Sequence, residues 1–329
     1  MPAFVPLRRL TTLACLSAVV AMPTMAWAQT YPSKAIRLVV PFTPGGTTDI
    51  LARAIGQELG KAWNVSVVVE NVPGAGGSIG ADRVAKATPD GYTLLMGHIG
   101  TLAVNPSLYP KLPYNPVKDF APVAWVANVP NVLVLHPGTK ANSMKEFVAF
   151  AKSNPGRLNY GSGGNGSAAN LATEYLKMRT NISLVHIPYR GTAPAVTDLV
   201  AGQTQVLFTG VPAVIGQIRN GQLKAVAVSG KQRVEALPDI PTVNEALGMK
   251  DFEADQWYGV VAPAGTPTEI VAKLNEGINA ALNGAELKRR LSAEGAVANP
   301  TTPAAFGRYI ASEIERWKPV ITSGRVKVD

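Results

Sequence analysis

The sequence predicts an α/β fold in two lobes with a ligand cleft between them. Apolar stretches of strand length alternate with helical patterns along the chain, the grammar of parallel sheets joined by crossovers. Two small-residue runs, Pro41-Phe42-Thr43-Pro44-Gly45-Gly46-Thr47-Thr48-Asp49 and Leu158-Asn159-Tyr160-Gly161-Ser162-Gly163-Gly164-Asn165-Gly166-Ser167, each follow a strand-like stretch and open a helix-like one. Such turns point bare backbone N–H groups at a small anion. The runs are far apart, so two separate α/β units each present one. Gly and Pro fall at turns and not inside elements, so local chemistry and fold class agree.

The elements follow in order. Residues 36–41 are a short apolar strand, and 48–60 a helix with Ile50, Leu51, Ala54, Ile55 and Leu59 at helical spacing. A strand at 65–70 and a glycine turn at 74–77 lead to a helix over 79–87, then a strand at 93–96. The polar, proline-containing stretch 128–131 marks a change of lobe, after which 132–136 is a strand. Residues 143–153 are a helix with Ser143 as N-cap and Glu146 three residues on, a capping-box arrangement. Strands at 158–160, 184–187, 205–208 and 224–228 alternate with helices at 168–178, 193–201 and 212–220. The stretch 237–255 reads as irregular, 258–262 as a strand, 267–281 as a long helix and 303–322 as a final amphipathic helix. The first lobe is then discontinuous, residues 29–130 plus 256–329, with residues 131–255 as the second.

The chain has 329 residues, 47% hydrophobic and 16% charged, enough for two moderate cores and unlike a disordered or coiled-coil protein. Residues 1–28 read as a cleaved signal peptide. Arg8 and Arg9 form a basic start, residues 10–22 are an apolar run too short for a hydrocarbon core of ~30 Å, and Ala26-Trp27-Ala28 is a small-x-small cleavage site. Cys15, the one cysteine, lies inside that run, so the mature chain has no disulfide or thiol chemistry. A periplasmic, soluble protein is expected. Removing Arg8 and Arg9 takes the net charge from +9 to +7. The basic residues are scattered, with no run longer than Lys288-Arg289-Arg290, which argues against nucleic acid.

Catalytic and cofactor signatures are thin. Gly161-Ser162-Gly163-Gly164-Asn165-Gly166 fits the dinucleotide spacing, but the next strand ends at Ile187-Pro188-Tyr189-Arg190 without the acid that holds a ribose. There is no phosphate-binding G-x-x-x-x-G-K-[ST] loop and no G-x-S-x-G elbow. His98, His136 and His186 are widely separated, so no metal site is expected. His98 lies at a strand end beside Gly100-Thr101, where it serves either as a ligand contact or as a satisfied structural histidine. The cumulative signal is four helices starting with small or hydroxyl residues just after strands: at Thr47-Thr48, Gly166-Ser167, Gly191-Thr192 and Gly210-Val211-Pro212. Such junctions gather at the carboxyl edge of a sheet, where helix N-termini offer free donors and partial positive charge.

Taken in order, these stretches resemble the Bug family, periplasmic solute receptors of tripartite tricarboxylate transporters. The matching pieces run along the whole mature chain. They include Pro41 to Asp49, Asn71-Val72-Pro73-Gly74-Ala75-Gly76-Gly77, Asp90-Gly91-Tyr92, Asn105-Pro106-Ser107-Leu108-Tyr109, Asp119-Phe120-Ala121-Pro122-Val123, the 159–167 turn, Pro188-Tyr189-Arg190-Gly191 and Trp257-Tyr258-Gly259. The resemblance implies a periplasmic-binding-protein fold of type II-like form that closes on a carboxylate, with no cofactor. Phe42, Thr43, Pro44, Gly45, Gly46 and Thr47 would grip from one lobe, and Tyr189, Arg190, Gly191 and Thr192 from the other. His98, Thr101, Ser162, Gly163, Asn165 and Ser167 would complete the walls. Two departures bear on selectivity. Thr209-Gly210 stands where many relatives carry an acid, which argues against an amino-acid ligand, and Asn170 stands where relatives often have a histidine. Asp49 suits a cap more than a ligand contact. Arg190 is the one nearby cation, either solvated or in the pocket.

The expected function is capture of a small mono- or dicarboxylate, aromatic acids included, by lobe closure and its delivery to membrane permease subunits. The protein would be a monomer and not an enzyme. Alternatives are a carboxylate-sensing adaptor for a membrane signalling partner, or an enzyme on the same fold, which needs a convergent acid–base pair.

Overall fold

A computed structural model describes residues 1–3 and 31–322; the expected signal peptide falls almost wholly outside them. In the first strand, β1 (Ile36–Val40), Ile36, Leu38 and Val40 enter one core cluster and Val39 another, the two-residue period of a strand buried on both faces. The same sheet takes β2 (Val67–Asn71), β3 (Thr93–His98) and β4 (Phe120–Val129). A second sheet holds β5 (Asn131–Leu135), β6 (Asn159–Ser162), β7 (Val185–Pro188), β8 (Val206–Gly210) and β9 (Lys224–Val228). The chain then re-enters the first sheet as β10 (Gln256–Pro263) and β11 (Val297–Ala298). The strand orders are β11-β4-β10-β3-β1-β2 and β7-β6-β8-β5-β9.

Helices cover both faces of each sheet. On the first, α1 (Thr47–Trp63) packs with a later helix over Leu38, Leu94 and Val260, while α2 (Ser78–Ala85) and α3 (Asn105–Leu108) lie over Val39 and Leu95. On the second, α4 (Met144–Ser153) and α5 (Ala168–Thr180) cover Leu133 and Phe208. The opposite face carries α6 (Thr192–Val200) and the five-residue α7 (Ile215–Arg219). After α8 (Val243–Leu247), the chain returns to the first sheet with α9 (Thr268–Asn283), α10 (Ala285–Ala293) and α11 (Pro303–Thr322). Each half is thus a helix–sheet–helix sandwich, the two-lobe α/β class that the alternation predicts.

Several expectations need correction. Only the βα units are parallel: β1 pairs in parallel with β2 and β3, and β6 with β7 and β8. The strands that carry the chain between sheets run antiparallel, β10 against β3 and β4, and β5 against β8 and β9. A chain entering from the other sheet arrives at the opposite end, so no crossover helix can make it parallel. At residues 128–131, where a change of lobe is expected, the chain passes from the first sheet to the second with almost no connecting segment. Asn128 and Val129 end β4, Asn131 begins β5, and Pro130, which lacks an N–H, is the single residue between. The stretch 237–255 contains α8, started by a true capping box in which Thr242 accepts from Glu245 N at 3.0 Å and Glu245 accepts from Thr242 N at 3.1 Å. At α4, Ser143 does accept from Glu146 N at 3.2 Å, but the Glu146 carboxylate bonds Asn142 N at 2.8 Å instead of closing the box. The helix expected over 212–220 breaks at Val214 into a 3₁₀ turn (Val211–Ala213) and α7.

Candidate functional site

The first of the two runs folds into a tight turn because one buried carboxylate collects its donors. Asp49, in the first turn of α1, accepts from Gly45 N at 3.0 Å, from Arg53 at 2.9 Å through both oxygens, and from Asn71 Nδ2 at 2.9 Å. Asn71 Nδ2 also donates to Phe42 O at 3.0 Å, tying the turn to the end of β2. Burial opposes the charge of Asp49, but the bonds from Arg53, Gly45 and Asn71 outweigh it and hold the carboxyl below its ordinary value. Asp49 is therefore consumed in holding the turn.

The second run is braced in the same way by neutral groups. Ser167 caps α5, accepting from Asn170 N at 3.3 Å. Asn170 is buried; its Oδ1 accepts from Gly166 N at 3.1 Å and its Nδ2 donates to Tyr160 OH at 2.9 Å. Asn170 is thus a clamp on the turn.

The first run faces the start of α6, and the second run lies beside that start. A Cβ placed at Gly46 would lie 3.4 Å from Thr192 Cβ, and one at Gly45 would lie 3.5 Å from Ala193 Cβ. At Gly163 the nearest atom would be Thr192 N at 3.4 Å, and at Gly191 the backbone N of Thr43 would be 3.0 Å away. So α1 starts at one wall while α5 and α6 start at the other. The fourth expected helix start is absent: Gly210 leads into the 3₁₀ turn, and it lies against Thr47 and Gln256.

Where these ends meet there is an inner cavity of about 20 Å³, room for about one water by this measure. Of the residues expected at the site, Phe42, Gly46, His98, Gly163, Ser167, Thr192 and Thr209 line it. Thr48, which lies in the expected gripping loop of residues 42–49, lines it too, as do Ala168, Ala169, Gln256 and Tyr258, which sequence reasoning missed. The first three extend helix starts already recognised, while Gln256 and Tyr258 arrive on β10, a strand expected from residue 258 whose pairing between β3 and β4 no local pattern announces. No Lys, Arg, Asp or Glu is in this lining.

An outer hollow of about 350 Å³ adjoins it, sharing Phe42 and Gly163. Asn165, Tyr189 and the exposed Arg190 border this outer space, opposite Gly76 and Tyr109. Tyr109 OH donates across it to Asn165 O at 3.1 Å. The remaining expected residues, Thr43, Pro44, Gly45, Thr47, Thr101, Ser162 and Gly191, line neither space. Thr43 and Gly191 meet each other across the cleft, Gly45 serves Asp49, and Thr101 serves His98.

His98 is buried between Phe42 and Tyr258, with ring centroids 4.7 and 6.0 Å away. The Thr101 backbone N–H donates to its Nδ1 at 3.2 Å, which assigns the proton of the neutral ring to Nε2. Burial pushes its pKa down to about 4, so the ring is uncharged at neutral pH. Behind the cavity, Tyr258 OH donates to Gln256 Oε1, and Gln256 Nε2 to Asn131 Oδ1 at 2.6 Å. Asn131 N in turn donates to Ser229 Oγ at 2.8 Å, and Ser229 donates to Asp255. This chain of bonds runs from the cavity wall into the residues where the backbone passes between sheets.

One Ser–His pair does converge: Ser162 Oγ lies 2.6 Å from His186 Nε2. Ser162 is wholly buried and bonds Gly164 O and Gly164 N, both at 3.1 Å, so its hydroxyl faces neither space. Among the described residues no group of three or more His, Cys, Asp or Glu could hold a metal, and no helix is long and apolar enough to cross a membrane.

Comparison with known proteins places this architecture. Residues 51–325 match the model of the tripartite tricarboxylate transporter family receptor, TctC. Protein BugT of Bordetella pertussis is 40% identical over 302 residues, 92% of this chain and 92% of that protein. The structure of Rpa4515 from R. palustris with adipate superposes with a TM-score of 0.87 at 36% identity, covering 90% of this chain and 99% of that one. MatC from Rhodopseudomonas palustris with bound malate gives a TM-score of 0.84 at 35% identity, covering 88% and 100%. The run-and-turn pattern, the paired sheets and the match over most of the chain lead to one conclusion: this chain belongs to the TctC family of tripartite tricarboxylate transporter receptors, which includes the Bug proteins.

Proposed function

We propose that the inner cavity captures a small carboxylate, mono- or dicarboxylate and aromatic acids included, by closure of two lobes. The observation that carries this is the meeting of three helix N-termini, those of α1, α5 and α6, around a lining without charged side chains. Each helix end offers unpaired N–H groups and about half a positive charge, which holds an anion without a counter-ion. His98 adds a neutral donor at the same wall, so carboxylate affinity stays flat between pH 5.5 and 8. The adipate and malate bound by Rpa4515 and MatC support the ligand class. Residues 29–130 with 256–329 would form one lobe and 131–255 the other, turning about Pro130 and Asp255. A diacid of four to six carbons exceeds the present inner cavity of about 20 Å³, so the lobes part to admit it and the bound acid extends into the adjoining outer hollow of about 350 Å³.

On this reading residues 1–28 are removed on export, and the mature monomer delivers its acid to permease subunits in the membrane. Phe42, Gly46, Thr48, His98, Gly163, Ser167, Thr192, Thr209, Gln256 and Tyr258 touch the ligand, while Tyr189 and Arg190 form the rim. The absence of an ammonium partner in the lining favours acids without an amine. Isothermal titration of the mature chain with adipate, malate, benzoate, aspartate and glutamate tests this. Binding of at least one amine-free acid, with compaction seen by small-angle scattering, is expected. Binding confined to the amino acids sinks the charge argument.

A further inference from the structure

Part of the cleft wall on the side of the second sheet is the glycine backbone of one turn, and one hydroxyl sets its course. Gly163 lines the inner cavity, and Gly164 and Gly166 turn the chain with φ of +112° and +74°, conformations other residues rarely adopt. Ser162 spans this turn, its Oγ 3.1 Å from both Gly164 N and Gly164 O. A hydroxyl has one proton and two acceptor sites. Gly164 N fills the first acceptor site, and the Ser162 proton goes to Gly164 O. The second acceptor site then takes the ring N–H of His186, whose Nε2 is 2.6 Å away. A ring presenting a bare Nε2 would instead draw the Ser162 proton and leave Gly164 O with only its bond from Ser167 N at 3.1 Å. His186 is half-buried on the edge strand β7, and its ring stacks on Tyr160 at 4.7 Å and 16°. Tyr160 is itself fixed: its OH donates to Glu174 at 2.6 Å and accepts from Asn170, the residue that clamps Gly166 N.

We propose that His186 is a positioning residue for the ligand cleft, holding the Gly163–Gly166 turn in its wall-forming shape through the Ser162 hydroxyl. The binding arm of the test below rests on the carboxylate reading; the exchange arm does not. His186→Phe keeps the stack on Tyr160 and deletes both ring nitrogens, whereas His186→Gln keeps an N–H donor at about the reach of Nε2. In hydrogen exchange of the ligand-free mature chain, His186→Phe and Ser162→Ala should quicken exchange about tenfold in peptides covering residues 162–167. Exchange in β5 and β8 should not change, and His186→Gln should stay near the parent. Titration with adipate and malate should give the same ranking, with affinity three- to tenfold weaker for the Phe and Ala variants. Parent-like exchange in His186→Phe, failure of His186→Gln to rescue it, or quickening spread over the whole second sheet each overturns the proposal. If neither acid binds the parent protein, the carboxylate reading fails and the exchange arm still decides the role of His186.

Discussion

Gly191→Ala is the sharpest probe of closure. Gly191 sits at φ +155° and ψ 173°, a region essentially restricted to glycine, so a side chain there costs ~1–3 kcal/mol wherever the loop keeps its shape. That part acts on open and closed forms alike. The second part acts only when the lobes meet: the new Cβ would lie 3.0 Å from Thr43 N and 3.2 Å from Thr43 Cβ, with Thr43 Oγ1 nearer still. Overpacking of this kind costs ~1–3 kcal/mol. Taking about 2 kcal/mol for the closed form alone, affinity for the bound acid falls about thirtyfold. Isothermal titration with adipate and malate measures the loss, and small-angle scattering at saturating acid reports whether the protein still compacts. Adding Thr43→Ala removes the nearest atom and should recover part of the affinity, a coupling between residues on opposite walls. Parent-like affinity in Gly191→Ala, or no recovery in the double variant, would refute the idea that these loops touch in the ligand-retaining form.

Two other perturbations address charge. Thr209→Asp puts a carboxylate into a lining that has none. At ~5 Å and an effective dielectric of ~20 the repulsion of a bound carboxylate is about 3 kcal/mol, roughly two orders of magnitude in affinity. Titration should show acids lost and an amine-bearing ligand such as glutamate gained. Asp255→Asn concerns pH. Burial raises the Asp255 carboxyl to about 6; Glu253 adds to the rise, while the bond from Ser229 and the charges of Arg316 and Lys231 oppose it. A carboxyl raised on folding stabilises the native state least when ionised. The parent should lose up to about 3 kcal/mol as pH climbs from ~4 through 6, and Asp255→Asn should not. Urea unfolding at pH 4.5 and 7.5 checks this; equal pH dependence in both proteins refutes it.

Much of the fold was legible because short-range chemistry controls it. The bounds of β9 and α11 agree with periodicity, and α1, α5 and α6 begin within a residue of their expected starts. Turn glycines and helix starts depend on neighbours a few residues away. The strand β4 was invisible because Pro122 and a mixed pattern hide it; it becomes a strand by pairing with β10, Gln256 opposite Val129. The helix α10 likewise carries its burial on two leucines, Leu287 and Leu291, too few for a convincing stripe.

The site divides along the same line. The sequence alone determined that two glycine-rich turns would each open a helix, since residue type and order suffice for that. Tertiary structure decided which of the expected residues reach the cavity and which others join them. Gln256 and Tyr258 enter it because β10 returns antiparallel between β3 and β4, while Asp49, Asn170 and Ser162 spend their polar groups bracing the turns. The physical reason is range: a turn is a contract among adjacent residues, whereas a cavity wall is set by strand pairing across more than a hundred residues of chain, which no local pattern encodes.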